Sequence, residues 1–68
     1  MLITQISSEL AKSYYVKTTA YNSLNLIKFH NPFTIIKLRE LEEKYNIKCI
    51  SIKYLSNNIT KYTFTFTP

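Results

Sequence analysis

No glycine occurs anywhere in the 68 residues. That removes the residue a chain normally uses wherever its backbone turns left-handed. Asn and Asp are the next most tolerant of that conformation, and Asp is absent too. The six asparagines, Asn22, Asn25, Asn31, Asn46, Asn57 and Asn58, are therefore expected to mark where the chain turns.

The stretch "HNPFTIIKLRELEEKYN" is bounded in this way. Asn31 can cap a helix, Pro32 suits its first position, and Asn46 can take the left-handed conformation that ends it. The spacing predicts a helix over residues 32–45. Its buried stripe is Thr34, Leu38, Leu41 and Tyr45, flanked by Phe33 and Ile35, with Ile36 on the opposite face among Arg39, Glu40 and Glu43. Period-two alternation marks four strands. "SYYVKTTAY" alternates Tyr14, Val16, Thr18 and Ala20 with Tyr15, Lys17, Thr19 and Tyr21, and "LNLIKF" follows an Asn22-Ser23 turn. "IKCISIKYL" sets Ile50, Ile52 and Tyr54 against Cys49, Ser51 and Lys53, and "ITKYTFTFTP" sets Tyr62, Phe64 and Phe66 against Lys61, Thr63, Thr65 and Thr67.

The expected architecture is a small single α+β domain over residues 1–68. Its order is ββαββ, with a four-stranded, mainly antiparallel sheet and one helix on one face. The opening residues suit either a short helix built on Leu2, Ile6 and Leu10 or an extra strand over "LITQI". Tyr62, Phe64 and Phe66 complement Leu38, Leu41 and Tyr45, which makes them the floor of the core. "YTFTFT" has no charge and high β propensity, a hazard on an open edge, so the last strand is expected at the centre of the sheet. For the final hairpin, a two-residue Asn57-Asn58 turn carried straight through would oppose Ile52 to Thr63. An odd loop pairs Ile52 with Tyr62 or Phe64 and keeps the apolar set on one face, so the odd loop is predicted.

Composition bears on function mainly by exclusion. Phe, Tyr, Met, Ile, Asn and Lys make up 34 of the 68 residues, the imprint of an AT-rich genome. Eight of the nine basic residues are Lys, with Arg39 alone, so the net charge of +5 owes something to codon bias. A surface that reads bases would favour the planar fork of Arg. The single Cys49 rules out an internal disulfide. The start carries no basic leader and no stretch reaches the length of a membrane span, so a reduced, cytoplasmic setting is expected, that of the host cell if the chain is phage- or virus-encoded. His30 and Cys49 are the only soft ligands, too few for zinc, and Glu40, Glu42 and Glu43 lie on a charged helix face without the apolar setting of a general acid. Without glycine there is neither a P-loop nor a dinucleotide fingerprint. The reading is non-enzymatic, with no cofactor and no metal.

What remains is the sheet face away from the helix. Lys17, Lys53 and Lys61, interleaved with Thr63, Thr65 and one or both of Tyr15 and Tyr21, offer cations, hydroxyls and rings that can follow a phosphate backbone and stack bases. Ile36 is a separate candidate contact on the helix. The leading expectation is a binding module that occupies a surface on a larger protein or nucleoprotein machine, such as a phage or mobile-element inhibitor of a host machine. The alternative is direct nucleic-acid binding through the same face, single strand or RNA ahead of duplex. The second alternative is a structural subunit, a homo-oligomer built by strand addition.

Overall fold

The computed structural model describes residues 3–20 and 22–66. Expectations that fall on Leu2, Tyr21, Thr67 and Pro68 lie outside the described residues. The elements run α1 (Ile3–Ala11), β1 (Tyr15–Ala20), β2 (Ser23–Phe29), α2 (Ile35–Tyr45), β3 (Ile47–Ser56) and β4 (Ile59–Phe66). Two helices are present: besides the expected central one, the opening residues, which suited either a short helix or a strand, form α1, so the order is αββαββ. Ile6 and Leu10 are spaced by one turn and both are buried, at 0% and 2% exposure. Tertiary contact decides what nine residues of periodicity leave open.

The sheet is wholly antiparallel in the order β1-β2-β4-β3. The last strand is central, as its uncharged aromatic sequence demanded. Its Tyr62 and Phe64 are the largest fully buried side chains together with Ile6 and Leu26. They pack with Leu24 of β2, Ile47 of β3, Leu10 of α1, and Leu41 and Tyr45 of α2, so both helices share one face of the sheet. Tyr14, Val16, Phe33, Leu38 and Phe66 pack around this cluster.

The α2 boundary differs from the expectation. Thr34, assigned to the buried stripe, is the N-cap: its backbone is extended (φ −70°, ψ 160°) and its Oγ1 accepts from the Lys37 N–H at 3.1 Å. Asn31 and Pro32 precede the helix, and Phe33 is held short of it because its N–H donates to the Tyr62 hydroxyl at 2.9 Å. Ile35, expected to flank the stripe, is 72% exposed. At the other end Asn46 is left-handed (φ 54°) and its N–H closes on the Glu42 carbonyl.

Asn46 takes the left-handed conformation expected of the asparagines, but Asn25, Asn31, Asn57 and Asn58 do not, although Asn57-Asn58 does form a turn. Asn25 sits inside β2, where its Oδ1 accepts from the Thr63 hydroxyl at 2.8 Å. After β2 it is His30, not Asn31, that adopts φ 71°, and its N–H donates to the Asn58 carbonyl at 2.7 Å. That bond supplies a favourable contact at a backbone position costing on the order of 1 kcal/mol for a side chain with a Cβ. The β1–β2 connection also lies one residue earlier than expected, since Ser23 already pairs with Ala20.

The β3–β4 hairpin corrects the loop prediction while keeping its purpose. Ser56 pairs with Ile59, so the connection is the two-residue Asn57-Asn58 turn and not an odd loop. The register then shifts between Tyr54 and Ser56, and the extra residue, Leu55, brings Ile52 opposite Tyr62. A bulge does the work assigned to the loop. A second shift between Cys49 and Ser51 makes Ile50 the extra residue and puts Cys49, not Ile50, on the helix face opposite Phe64. Ile50 is 59% exposed as a result.

Candidate functional site

The pairing registers place the open-face residues in rows across the four strands. One row is Tyr15, Ile27, Lys61 and Lys53, and the next is Lys17, Asn25, Thr63 and Ser51. Beyond them Ser23, Thr65 and Lys48 align on one side, and Phe29, Ile59 and Ser56 on the other. Neighbouring strands lie about 4.8 Å apart and same-face residues along a strand about 6.7 Å apart, so this is one continuous surface.

Five of the seven sequence-derived candidates, Tyr15, Lys17, Lys53, Lys61 and Thr63, fall on that surface. Ile36 does not join them: it lies on α2, in the opposite layer, and is 73% exposed. Tyr21 is outside the described residues. Thr63 is already engaged with Asn25, so its role is to fix the surface more than to offer a free hydroxyl. Sequence reasoning missed Phe29 and Lys48. Phe29 was legible, since it continues the alternation of Asn25 and Ile27. Lys48 was not, because the bulge at Ile50 changes which residues of β3 share a face.

The electrostatics are one-sided. All four carboxylates, Glu9, Glu40, Glu42 and Glu43, belong to the helices. Among the described residues the ion pairs are Lys12–Glu9 and Lys37–Glu40, both exposed, and neither involves the open face. Among the described residues its lysines, Lys17, Lys48, Lys53 and Lys61, form no ion pair with a carboxylate. Lys53 and Lys61 are direct cross-strand partners, an arrangement that costs some tenths of a kcal/mol between like charges.

Tyr15 is 61% exposed and Phe29 48% exposed, on either side of Ile27. Both rings also line an open groove of about 480 Å³ between the end of α1 and the end of β2, whose rim carries Lys12, Lys28 and His30. Lys28 is partly committed there, its Nζ donating to the Phe29 carbonyl at 3.1 Å and lying 5.9 Å from the centre of the Phe33 ring. The rings thus stand between two sets of cations.

Catalytic chemistry finds no comparable gathering. Among the described residues no group of three His, Cys, Asp or Glu could hold a metal ion. Cys49 is half-buried on the helix face, and burial, with the Glu42 carboxylate adding, pushes its thiol up from the ordinary cysteine value. That disfavours the thiolate a nucleophile requires. No helix among the described residues is long and apolar enough to cross a membrane. No family model, no curated protein and no solved structure gives a significant match to the chain.

Proposed function

We propose that this protein is a non-enzymatic binding module, acting in the cytoplasm, that engages single-stranded nucleic acid across its open sheet face. The observation that carries the reading is the coincidence, on one face, of four lysines that form no ion pair among the described residues and two half-exposed rings. Lysine neutralises phosphate as a point charge without reading base edges. Stacking on Tyr15 and Phe29 accepts any base, because every base has a π-face. The expected binding is therefore strong in its salt dependence and weak in its sequence preference. Duplex fits less well, since the most exposed helix, α2, sets Lys37, Arg39 and Lys44 against three glutamates and offers the major groove no net positive charge. The wider expectation of an inhibitor docked on a host nucleoprotein uses the same face, with the nucleic acid displayed by the larger particle. Its phage or mobile-element origin rests on composition alone.

The test is fluorescence anisotropy of labelled single-stranded RNA, single-stranded DNA and duplex DNA, at low and at physiological salt. Four phosphate contacts on a single strand predict a slope of log K against log salt of about −3. Alanine at Lys17, Lys53 and Lys61 together should lower the magnitude of that slope by roughly 2. Alanine at Tyr15 or Phe29 should weaken binding by about 1–3 kcal/mol and leave the slope unchanged. Binding lost at physiological salt, or a slope that the triple alanine variant leaves intact, would refute the assignment.

A further inference from the structure

We infer that two copies of this chain associate through β3, forming one continuous eight-stranded sheet about a two-fold axis at Ile52. The inference is independent of nucleic-acid binding. It begins with the sheet order, which leaves β3 with β4 on one side and, among the described residues, no strand on the other. The amide of Cys49 points to that free side, because it donates to the Glu42 carboxylate at 2.9 Å and not into the β4 ladder. Residues of one strand that share a face also share the direction of their amides, so Ile52 and Tyr54, on the helix face with Cys49, present theirs to the same edge. Among the described residues no backbone hydrogen bond outside the ladder reaches either. Glu42 blocks the edge at Cys49 and the segment beyond it stays open.

That segment lacks the usual protection of an edge. From Ile50 to Leu55 the one charge is Lys53 and there is no proline. Ile50, Ile52, Tyr54 and Leu55 are 59%, 46%, 71% and 52% exposed. The helix adds to the patch. Glu42 faces the edge, and Ile35 lies seven residues earlier on the same stripe, two turns or about 10.5 Å along the axis. Since α2 and β3 run in opposite directions from the Asn46 cap, that displacement carries the start of α2 toward the Ile52 end of β3. Ile35 and Ile36 are more than 70% exposed. These six side chains leave roughly 700 Å² uncovered, against about 800 Å² per partner in an interface of standard size.

Charge and overlap together select the register of self-pairing, since an axis at Tyr54 would pair only Ile52 to Ser56 of each copy. An axis at Lys53 would set Lys53 against Lys53 of the second copy, a like-charge pair directly opposed. An axis at Ile52 sets Ile52 against its counterpart and Lys53 against Ser51 of the second copy, which leaves no like charges opposed. The same axis brings the first turns of the two α2 helices together, so that Ile35 and Ile36 of both copies meet over the Ile52 pair. On the other face the two lysine-bearing surfaces become continuous.

Sedimentation equilibrium between about 1 and about 500 µM tests this by mass action. The wild type is expected to move from the 8.0 kDa monomer to twice that mass. Ile52→Pro removes an amide that faces away from β4, a substitution an edge strand accommodates. It should weaken association about 100-fold, the loss expected when edge hydrogen bonds and their packing go together, with an unchanged far-ultraviolet circular dichroism spectrum. In a Cys49→Ser background, Ile52→Cys should form a disulfide-linked dimer on mild oxidation, and Lys53→Cys should do so far more slowly. A wild-type mass of 8.0 kDa at every concentration would overturn the inference. So would a dimer that cross-links faster through position 53, or one whose affinity Ile52→Pro leaves unchanged. If Ile52→Pro fails to fold, the wild-type mass and the two cysteine variants decide.

Discussion

Replacing Tyr62 by Phe deletes one oxygen from the middle of the central strand and leaves every ring contact in place. Tyr62 is 2% exposed, its ring 4.9 Å from Phe33 and 6.4 Å from Phe64. Its hydroxyl accepts the Phe33 N–H at 2.9 Å, the bond that ties the segment before α2 to the sheet. Without it a half-buried amide loses its acceptor. An unsatisfied buried group costs about 1–3 kcal/mol, and partial access of water to Phe33 sets the expected loss near 1.5 kcal/mol. For a domain of this size that corresponds to roughly 8 °C in Tm, or about 1.5 M in the urea midpoint with the slope unchanged. Tyr54→Phe is the control, since Tyr54 is 71% exposed. Equal midpoints for the two variants would refute the role given to the hydroxyl. The same variant carries a pH signature. Burial, opposed by the hydrogen bond from Phe33, holds the Tyr62 phenol above the ordinary tyrosine value. The folded state therefore binds this proton more tightly than the unfolded state. Its contribution is full below pH ~10 and is lost as pH rises through the raised value. Wild-type Tm should fall more steeply than that of Tyr62→Phe as pH rises above about 10, and parallel curves would contradict the assignment.

Glu42→Ala removes the charged acceptor of the Cys49 amide and should cost about 1.5 kcal/mol by urea denaturation at neutral pH, while Glu43→Ala, one residue on and exposed, should stay within about 0.5 kcal/mol. Equal effects would show that the 2.9 Å bond contributes nothing to stability. Deleting Leu55 removes the bulge beside the Asn57-Asn58 turn but leaves Ile52 opposite Tyr62. It should therefore cost less than about 1 kcal/mol, whereas deleting Tyr54 and Leu55 together leaves no spare residue, puts Ser51 in place of Ile52 opposite Tyr62 and should cost at least about 2 kcal/mol. Thermal melts of the two deletions separate these outcomes, and similar losses from both would refute the register.

The four strands were legible because alternation is local. A strand of six to ten residues repeats its pattern often enough to be seen without a partner. Leu41 and Tyr45 were legible in the same way, as was Asn46, since a glycine-free chain has few residues able to end a helix left-handed. The helix start was not. Asn31 and Thr34 are both competent caps, and the choice fell to the Tyr62 hydroxyl, which holds Phe33 outside the helix from twenty-nine positions away. The candidate face was legible as far as Tyr15, Lys17, Lys53, Lys61 and Thr63, all of which alternation assigns. Whether those strands lay side by side depended on pairings that alternation does not specify.

By itself, then, the sequence determined the number of strands, their hydrophobic phase and the central place of "YTFTFT", because an uncharged aromatic strand is tolerable only where both its edges are paired. Tertiary structure decided the helical state of residues 3–11, the left-handed turn at His30 and the parity of β3. The last of these follows from how a ladder is built. Each bulge inserts one residue and exchanges the faces of everything upstream, and nothing in local composition announces it. Its stabilisation comes from bringing Ile52 onto Tyr62 and Cys49 onto Phe64, contacts that exist only once β4 has taken its place between β2 and β3.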